Sequence, residues 1–358
     1  MSRWANDPDR AADELIVRCL SAIDLQGNVL LACHRAEGLR SVIADRGLGH
    51  CSWHRRLSRG GQAQPWPTGG PYDAVFLRLP KAKAEQEMAA HACLSVAAPE
   101  GQLFVYGGNE EGIRSFTGTL AQLCGHVETL ATRGHGRVLA GRRPGDVARL
   151  KSSLTAWRSV ARIQLGGLAR DWTSYPGIFA ADRIDEGTAL LIGVLPPLPP
   201  GARVLDYGCG SGVIGASALA QEPSLVLDLL DADSVALEAA RENVPGACIL
   251  LGDSLADAAG AGRYDAILSN PPLHEGFVED HSLLEQLIAD APDRLAPGGM
   301  LQLVVQRRVP LDRMLARHFE DVAVVAGNGR YRVWQARRAQ YAPLLRPTND
   351  RSPQVAAD

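Results

Sequence analysis

The chain contains no C-x-x-C pair, and its seven cysteines, at 19, 33, 51, 93, 124, 209 and 248, are odd in number. A disulfide framework is therefore not expected, and the thiols read as reduced ones in a cytoplasmic protein. His50, Cys51 and His54 lie close together, but no second ligand pair follows them, so no metal is expected. No apolar run approaches ~20 residues, which predicts no membrane span. The N-terminus, MSRWANDPDR, lacks the apolar core of a signal peptide. Extreme charge is missing too: the formal net charge of −3 excludes a uniformly basic nucleic-acid glove. The balance is uneven, however. Residues 1–180 hold 22 Lys/Arg against 16 Asp/Glu, whereas residues 181–358 hold 15 against 24. A positive first half beside an acidic second half suits docking on RNA, and an ordinary solvated surface accounts for it almost as well.

What is present centres on Val204–Gly215, VLDYGCGSGVIG. An apolar strand pattern runs into glycines at 208, 210, 212 and 215, and a helical pattern follows at once. Strand, glycine turn and helix in that order form a nucleotide-cofactor loop. Gly210, Gly212 and Gly215 alone satisfy the dinucleotide pattern G-x-G-x-x-G, a weak match by itself. Asp206 argues against a pyrophosphate, because like charges repel at short range. An acid there suits a ligand with a cationic end.

At 358 residues the chain is long enough for about two domains, and one arrangement occurs twice. Tyr72-Asp73-Ala74-Val75-Phe76-Leu77 is a strand, followed by a proline turn, a helix over 84–97, Pro99-Glu100-Gly101 and a strand over 102–106. Tyr264-Asp265-Ala266-Ile267-Leu268 leads through Asn270-Pro271-Pro272 to a helix over 282–295, Pro297-Gly298-Gly299 and a strand over 300–305. Such self-similarity implies two copies of one fold. The first copy lacks the glycine loop: Asn28–Cys33 is followed by His34-Arg35-Ala36-Glu37-Gly38, and Leu79-Pro80-Lys81 stands where the second has Asn270-Pro271-Pro272. Residues 1–170 are thus a degenerate copy, without cofactor, plus a linker. The arginine-rich stretch 140–172 reads as a packed linker helix, although its tryptophans could also stack RNA.

From 201 onward strands and helices alternate, which implies a parallel sheet covered on both faces. Strands over 322–326 and 331–336 around Asn328-Gly329 form a closing hairpin. The expected fold is α/β, in tandem Rossmann-like units. Residues 171–345 carry a seven-stranded, mostly parallel sheet ending in an antiparallel hairpin, and 346–358 form a disordered tail.

Asp231 closes the second strand of this unit and can accept both ribose hydroxyls of a nucleoside. Asp233 reads as the N-cap of the next helix. Asp253 reads as a turn aspartate capping a helix or, by resemblance to S-adenosylmethionine (SAM) enzymes, as the acid that reaches the adenine amino group. Ser269-Asn270-Pro271-Pro272-Leu273-His274 falls at the carboxyl end of the fourth strand, facing the same crevice. Asn270-Pro271-Pro272-Leu273 resembles the N-P-P-[FYW] motif of methyltransferases acting on planar nitrogens, which implies an exocyclic amine as acceptor. Such an amine is a poor nucleophile because its lone pair is delocalised. The Asn270 side-chain oxygen and the Pro271 carbonyl can each accept one N–H, aiming the nitrogen and stabilising the charge that develops there. Pro272 stiffens the turn.

The D-x-G-x-G-x-G string at 206–212 resembles motif I of the class I SAM methyltransferases. P-G-I-F at 176–179, D-E-G-T-x-L-L at 185–191, the glycine loop and S-N-P-P-L-H-E-G, in that order, resemble the bacterial ribosomal-RNA guanine-N2 methyltransferases of the small-subunit methyltransferase C type. The likeness spans about residues 25–340 and includes the first domain. It implies SAM as cofactor, held by Asp206, Tyr207, Gly208, Cys209, Gly210, Asp231, Ala232, Asp253, Ser254 and Asn270. It also implies a guanine of ribosomal RNA, in the small subunit or an assembly intermediate, as substrate of a cytoplasmic, monomeric enzyme. Leu273 departs from the pattern, which has an aromatic there to stack the target base. Phe179 is a candidate for that ring, and His274 for contact with a base edge or phosphate. The alternatives are another planar nitrogen, such as a glutamine amide or adenine N6, and a catalytically weak SAM-binding assembly factor.

Overall fold

The computed structural model describes residues 8–34, 37–57, 62–271, 274–275, 278–279 and 282–339. Pro272, Leu273 and the 346–358 tail lie outside the described residues. Two sheets are built to one plan. In the first, β1 (Val29–Ala32), β2 (His50–Trp53), β3 (Tyr72–Arg78), β4 (Ala97–Gly108), β5 (Val127–Arg133) and β6 (Gly136–Arg142) take the order β2-β1-β3-β4-β6-β5. Helices α1 (Pro8–Cys19) and α2 (Glu37–Asp45) pack on one face, and α3 (Lys83–Val96) and α4 (Ile113–Cys124) on the other. The inner strand β1, Val29-Leu30-Leu31-Ala32, is a fully buried apolar run, as a parallel strand covered on both faces requires.

The second sheet has β9 (Arg203–Tyr207), β10 (Val226–Asp231), β11 (Cys248–Leu251), β12 (Tyr264–Ser269), β15 (Leu295–Gln306), β16 (Asp321–Gly327) and β17 (Tyr331–Arg337) in the order β11-β10-β9-β12-β15-β17-β16. Five strands run parallel and the last two form the antiparallel hairpin. Helices α5 (Glu186–Ile192), α6 (Val213–Gln221) and α7 (Ser234–Asn243) cover one face, and α8 (Ser282–Arg294) and α9 (Leu311–Leu315) the other. Between β12 and α8 lies a small ribbon of β13 (His274–Glu275) and β14 (Val278–Glu279).

Two readings of the sequence need correction. The stretch 140–172 is not a linker helix. After two short 3-10 turns it forms the hairpin β7 (Ser159–Leu165) and β8 (Leu168–Ser174). Gly166 and Gly167 turn it with φ of +60° and +79°, the left-handed pair that a tight hairpin turn demands. Ile163, Leu165 and Trp172 pack into the core of the second sheet, so residue 170 lies within a strand that belongs to that core. The second correction is one of register. Ala74 pairs with Val29 as Ala266 pairs with Val204, and Leu77 pairs with Ala32 as Ser269 pairs with Tyr207. Arg78 therefore stands at the position of Asn270, and Leu79-Pro80 at that of Pro271-Pro272, one residue from the sequence-based match.

The same registers make His54, Arg55, Arg56 and Leu57 the equivalents of Asp231, Ala232, Asp233 and Ser234. These two loops meet. The Leu57 N–H donates to the Ala232 carbonyl at 2.9 Å and the Ser234 N–H to the Arg55 carbonyl at 3.0 Å. An isolated antiparallel bridge joins Arg56 to Asp233, its own counterpart. Reciprocal contacts between equivalent residues are the signature of a two-fold interface. The domains thus dock about a local pseudo-two-fold axis at the carboxyl ends of β2 and β10. Met88 from the first domain packs beside Val235, Ala236 and Ala239 of α7 to close the seam.

Candidate active site

The glycine loop leaves β9 and enters α6 through three left-handed residues, Gly208, Gly210 and Gly212 (φ +68°, +54° and +90°). A side chain would clash sterically in that region of φ/ψ space. Gly215 serves packing instead: a Cβ there would lie 2.7 Å from Leu229, so its absence lets α6 sit close on β10. The Gly208 and Cys209 N–H groups both donate to the Leu230 carbonyl, which folds the loop over the end of β10.

Two carboxylates lie beneath this loop. Asp206 is fully buried, and one of its oxygens accepts the Gly215 N–H at 2.9 Å. Its other oxygen, Oδ1, is buried and has no partner. Burial pushes this carboxyl up to about 7, the Gly215 N–H opposing and the charge of Asp231 adding to the rise. Asp231 accepts the Gly210 N–H at 2.7 Å and the Asp233 N–H at 2.8 Å, and burial raises it to about 6. An orphaned carboxylate oxygen beside a second acid suits a cationic, hydroxyl-bearing ligand and repels a pyrophosphate. SAM, with its sulfonium, ammonium and ribose hydroxyls, meets that demand.

The remaining expected cofactor residues fall around this pair in different ways. Tyr207 is buried and its hydroxyl donates to the Asp253 carbonyl at 2.7 Å, tying the ends of β9 and β11 together. The cap expected of Asp253 is made by Ser254 and Asp257: Asp257 accepts from the Ser254 N–H and Oγ as well as from the Asp253 N–H. The Asp253 carboxylate is left exposed beside the end of β11. Cys209 turns its side chain into the core with Ile214 and Leu229, and burial raises its thiol well above the usual value. It therefore presents backbone alone to a ligand. Ala232 spends its carbonyl on the first domain. Asp233 caps α7 as expected, accepting from Val235 and Ala236, and it also pairs with Arg55 at 2.7 Å and Arg56 at 3.0 Å.

Asn270 leaves β12 half-buried, next to buried Pro271. Its Nδ2 lies 2.9 Å from the Thr188 hydroxyl and 3.4 Å from Asp185 Oδ2. Asp185 is the N-cap of α5, accepting from the Gly187 and Thr188 N–H groups. The start of α5 is held in turn by Arg330 and Asn328 of the β16–β17 turn, both bonded to Glu186. Asp185 and Thr188 were visible in the sequence only as part of a family string, without a role. The signal available was that an asparagine presenting its oxygen needs a partner for its NH2 group.

Phe179 is 68% exposed. It lines a cleft of about 590 Å³ at the domain seam with Lys83, Trp157 and Tyr175. His274 falls in the β13–β14 ribbon.

An open α/β sheet with a glycine loop, paired acids and an Asn-Pro turn at one crevice is a methyltransferase architecture, and the comparisons agree. The Methyltransferase small domain family matches residues 170–335, and the Methyltransferase small domain N-terminal family matches 53–149. The ribosomal RNA small subunit methyltransferase C of Shewanella halifaxensis is 33% identical over 274 residues, covering 75% of this chain and 78% of that one. The Hahella chejuensis protein of the same name is 30% identical over 334 residues, covering 88% and 95%. The chain belongs to the ribosomal RNA small subunit methyltransferase C family. In fold it matches the 16S rRNA N2 G1207 methyltransferase of T. thermophilus, solved in complex with AdoMet and guanosine, with a TM-score of 0.78 over 94% of this chain and 93% of that one, at 21% identity.

Proposed function

We propose that this protein transfers a methyl group from SAM to the exocyclic N2 amine of a guanine in small-subunit ribosomal RNA, acting in the cytoplasm as a monomer. The observation that carries the reading is the orientation of Asn270. With its NH2 group directed at Asp185 and Thr188, its oxygen is the atom left for an incoming amine. An acceptor is what an amine nucleophile requires, and the Pro271 carbonyl supplies the second. Two acceptors favour the nitrogen as it gains positive charge, so they act more strongly in the transition state than in the ground state. Asp206 and Asp231 would hold the cofactor, with the Gly208–Gly212 backbone against it and Asp253 at its adenine end. SAM supplies an activated methyl group, so neither a metal nor a covalent enzyme intermediate is needed, and alignment provides much of the acceleration.

The test uses purified protein, tritiated SAM and small subunits or naked 16S RNA from cells lacking this gene. Label recovered as N2-methylguanosine is the expected result, and a preference between the two substrates identifies the assembly stage. Label on adenine N6 or on protein glutamine would move the target. SAM binding without transfer to any acceptor would favour an assembly factor.

A further inference from the structure

We infer that Asp185 and Thr188 are positioning residues that lock the Asn270 carboxamide in one of its two flips, and so decide whether the site can accept an amine. This inference rests on the reading just proposed and deepens it, by assigning what fixes the orientation on which that reading depends.

A carboxamide presents an oxygen at one corner and a nitrogen at the other, in nearly the same shape. One flip offers an acceptor to the substrate amine. The other offers two N–H donors to a group that is itself a donor, which is unfavourable. The side chain alone does not choose. Thr188, whose hydroxyl can donate or accept, does not choose either. Asp185 does: its carboxylate only accepts, so the corner facing it must be the NH2 group. The carboxylate is itself fixed, because the same Oδ2 accepts the Gly187 and Thr188 N–H groups at 3.0 and 3.2 Å. Thr188 is 8% exposed and completes the contact at 2.9 Å. Bonding of the NH2 group to an anion also polarises the amide, making its oxygen a better acceptor for a nitrogen that becomes cationic. The lock is held from outside as well, since Glu186 anchors the start of α5 to Arg330 and Asn328.

Two substitutions separate this role from a structural one. Asn caps a helix as well as Asp does, so D185N keeps the N-cap and removes the acceptor-only charge. Thr188→Val keeps the shape and removes the hydroxyl, and Thr188→Ser restores it. Single-turnover methyl transfer to the RNA, SAM affinity by calorimetry and thermal midpoints are measured for each. The expected result is a fall in the transfer rate of about tenfold for D185N and for Thr188→Val. SAM affinity and thermal midpoint stay unchanged, and Thr188→Ser recovers the rate. In an Asn270→Ala background neither substitution should slow transfer further, because nothing is left to orient. Wild-type rates in both single variants, or an equal additional loss in the Asn270→Ala background, would overturn the positioning role alone. No transfer by the wild-type protein to any guanine would overturn the parent reading and this one with it.

Discussion

The two domains carry the same sheet and put opposite chemistry at its carboxyl edge. In the second domain the end of β10 presents Asp231 and Asp233, and the end of β12 presents Asn270. At the matching positions the first domain has His54 and Arg56 after β2, and Arg78 after β3. Arg78 is buried, bound through its two terminal guanidinium nitrogens to Glu111 at 2.6 and 2.8 Å, with Tyr106 beneath it. The carbonyl of Pro80, at the place of Pro272, accepts from Gln86 at 2.8 Å. The carboxyl edge of the first sheet is thus occupied around Arg78 by internal ion pairs and hydrogen bonds. Its cations then serve the seam: Arg55 and Arg56 reach Asp233 across the pseudo-two-fold axis. A symmetric pairing of two catalytic-type loops would face acid with acid. Reversed charge in one copy turns that repulsion into attraction across the seam.

The largest expected effect of breaking this arrangement comes from Arg55. It is 2% exposed and holds Asp233, the Pro176 carbonyl at 2.6 Å and, more loosely, Glu85 at 3.5 Å. Removing one partner of a buried pair costs roughly 3–5 kcal/mol where the other charge is left alone; here Arg56 still reaches Asp233 and Glu85, so that figure is an upper bound. Arg55→Ala should lower the stability by up to that amount in urea denaturation. It should also weaken SAM binding, because the Asp231–Asp233 loop loses its outer support. A stability change under about 1 kcal/mol would mean that the seam pair is dispensable and that the apolar contacts of Met88 and α7 hold the domains.

Next in size is Asn270. Loss of a positioned transition-state acceptor costs on the order of 10²–10³ in rate, about 2.7–4 kcal/mol. Asn270→Ala should show that loss in single-turnover transfer while SAM affinity stays nearly intact. Arg78→Ala, at the equivalent position, should cost stability and leave the chemical rate of the folded protein unchanged. Equal losses of rate and of SAM affinity in Asn270→Ala would assign Asn270 to cofactor binding. A slowed chemical step in folded Arg78→Ala would show that the first crevice still takes part.

The catalytic half was legible in the sequence because its signals are local. A glycine turn, an acid at a strand end and an Asn-Pro turn each lie within a few residues, and α6 falls where its apolar pattern sets it. The first half was less so. Its β5 and β6 carry no motif, Gly166-Gly167 was a hairpin turn inside a stretch read as helix, and one turn was matched a residue out of register because Pro80 looked like Pro271. The seam could not be read at all: Arg55 and Asp233 are 178 residues apart, and nothing in either local sequence points to the other. The contact between Asn270 and Asp185 spans 85 residues in the same way.

The smallest of these effects is a proton. Burial holds Asp206 at about 7, far above the 3.8 of an unperturbed aspartate. Because its folded value is raised, the stability it contributes is fully present below pH 3.8 and is lost as pH rises to about 7. A ligand cation reverses the preference, since it favours the ionised form and must displace the proton to bind. SAM affinity should therefore rise by about tenfold between pH 6 and pH 8 and then level off, a difference of about 1.4 kcal/mol. Calorimetry in two buffers of different ionisation enthalpy should detect proton release near neutral pH. His54, the first domain's counterpart of Asp231, has no carboxylate to offer, so the titration should accompany a single binding event per chain. D206N should bind SAM more weakly at pH 8 and remove most of the pH dependence. An affinity flat from pH 6 to 8 in the wild type would mean that Asp206 is already ionised without ligand, and that its orphaned oxygen is satisfied in solution.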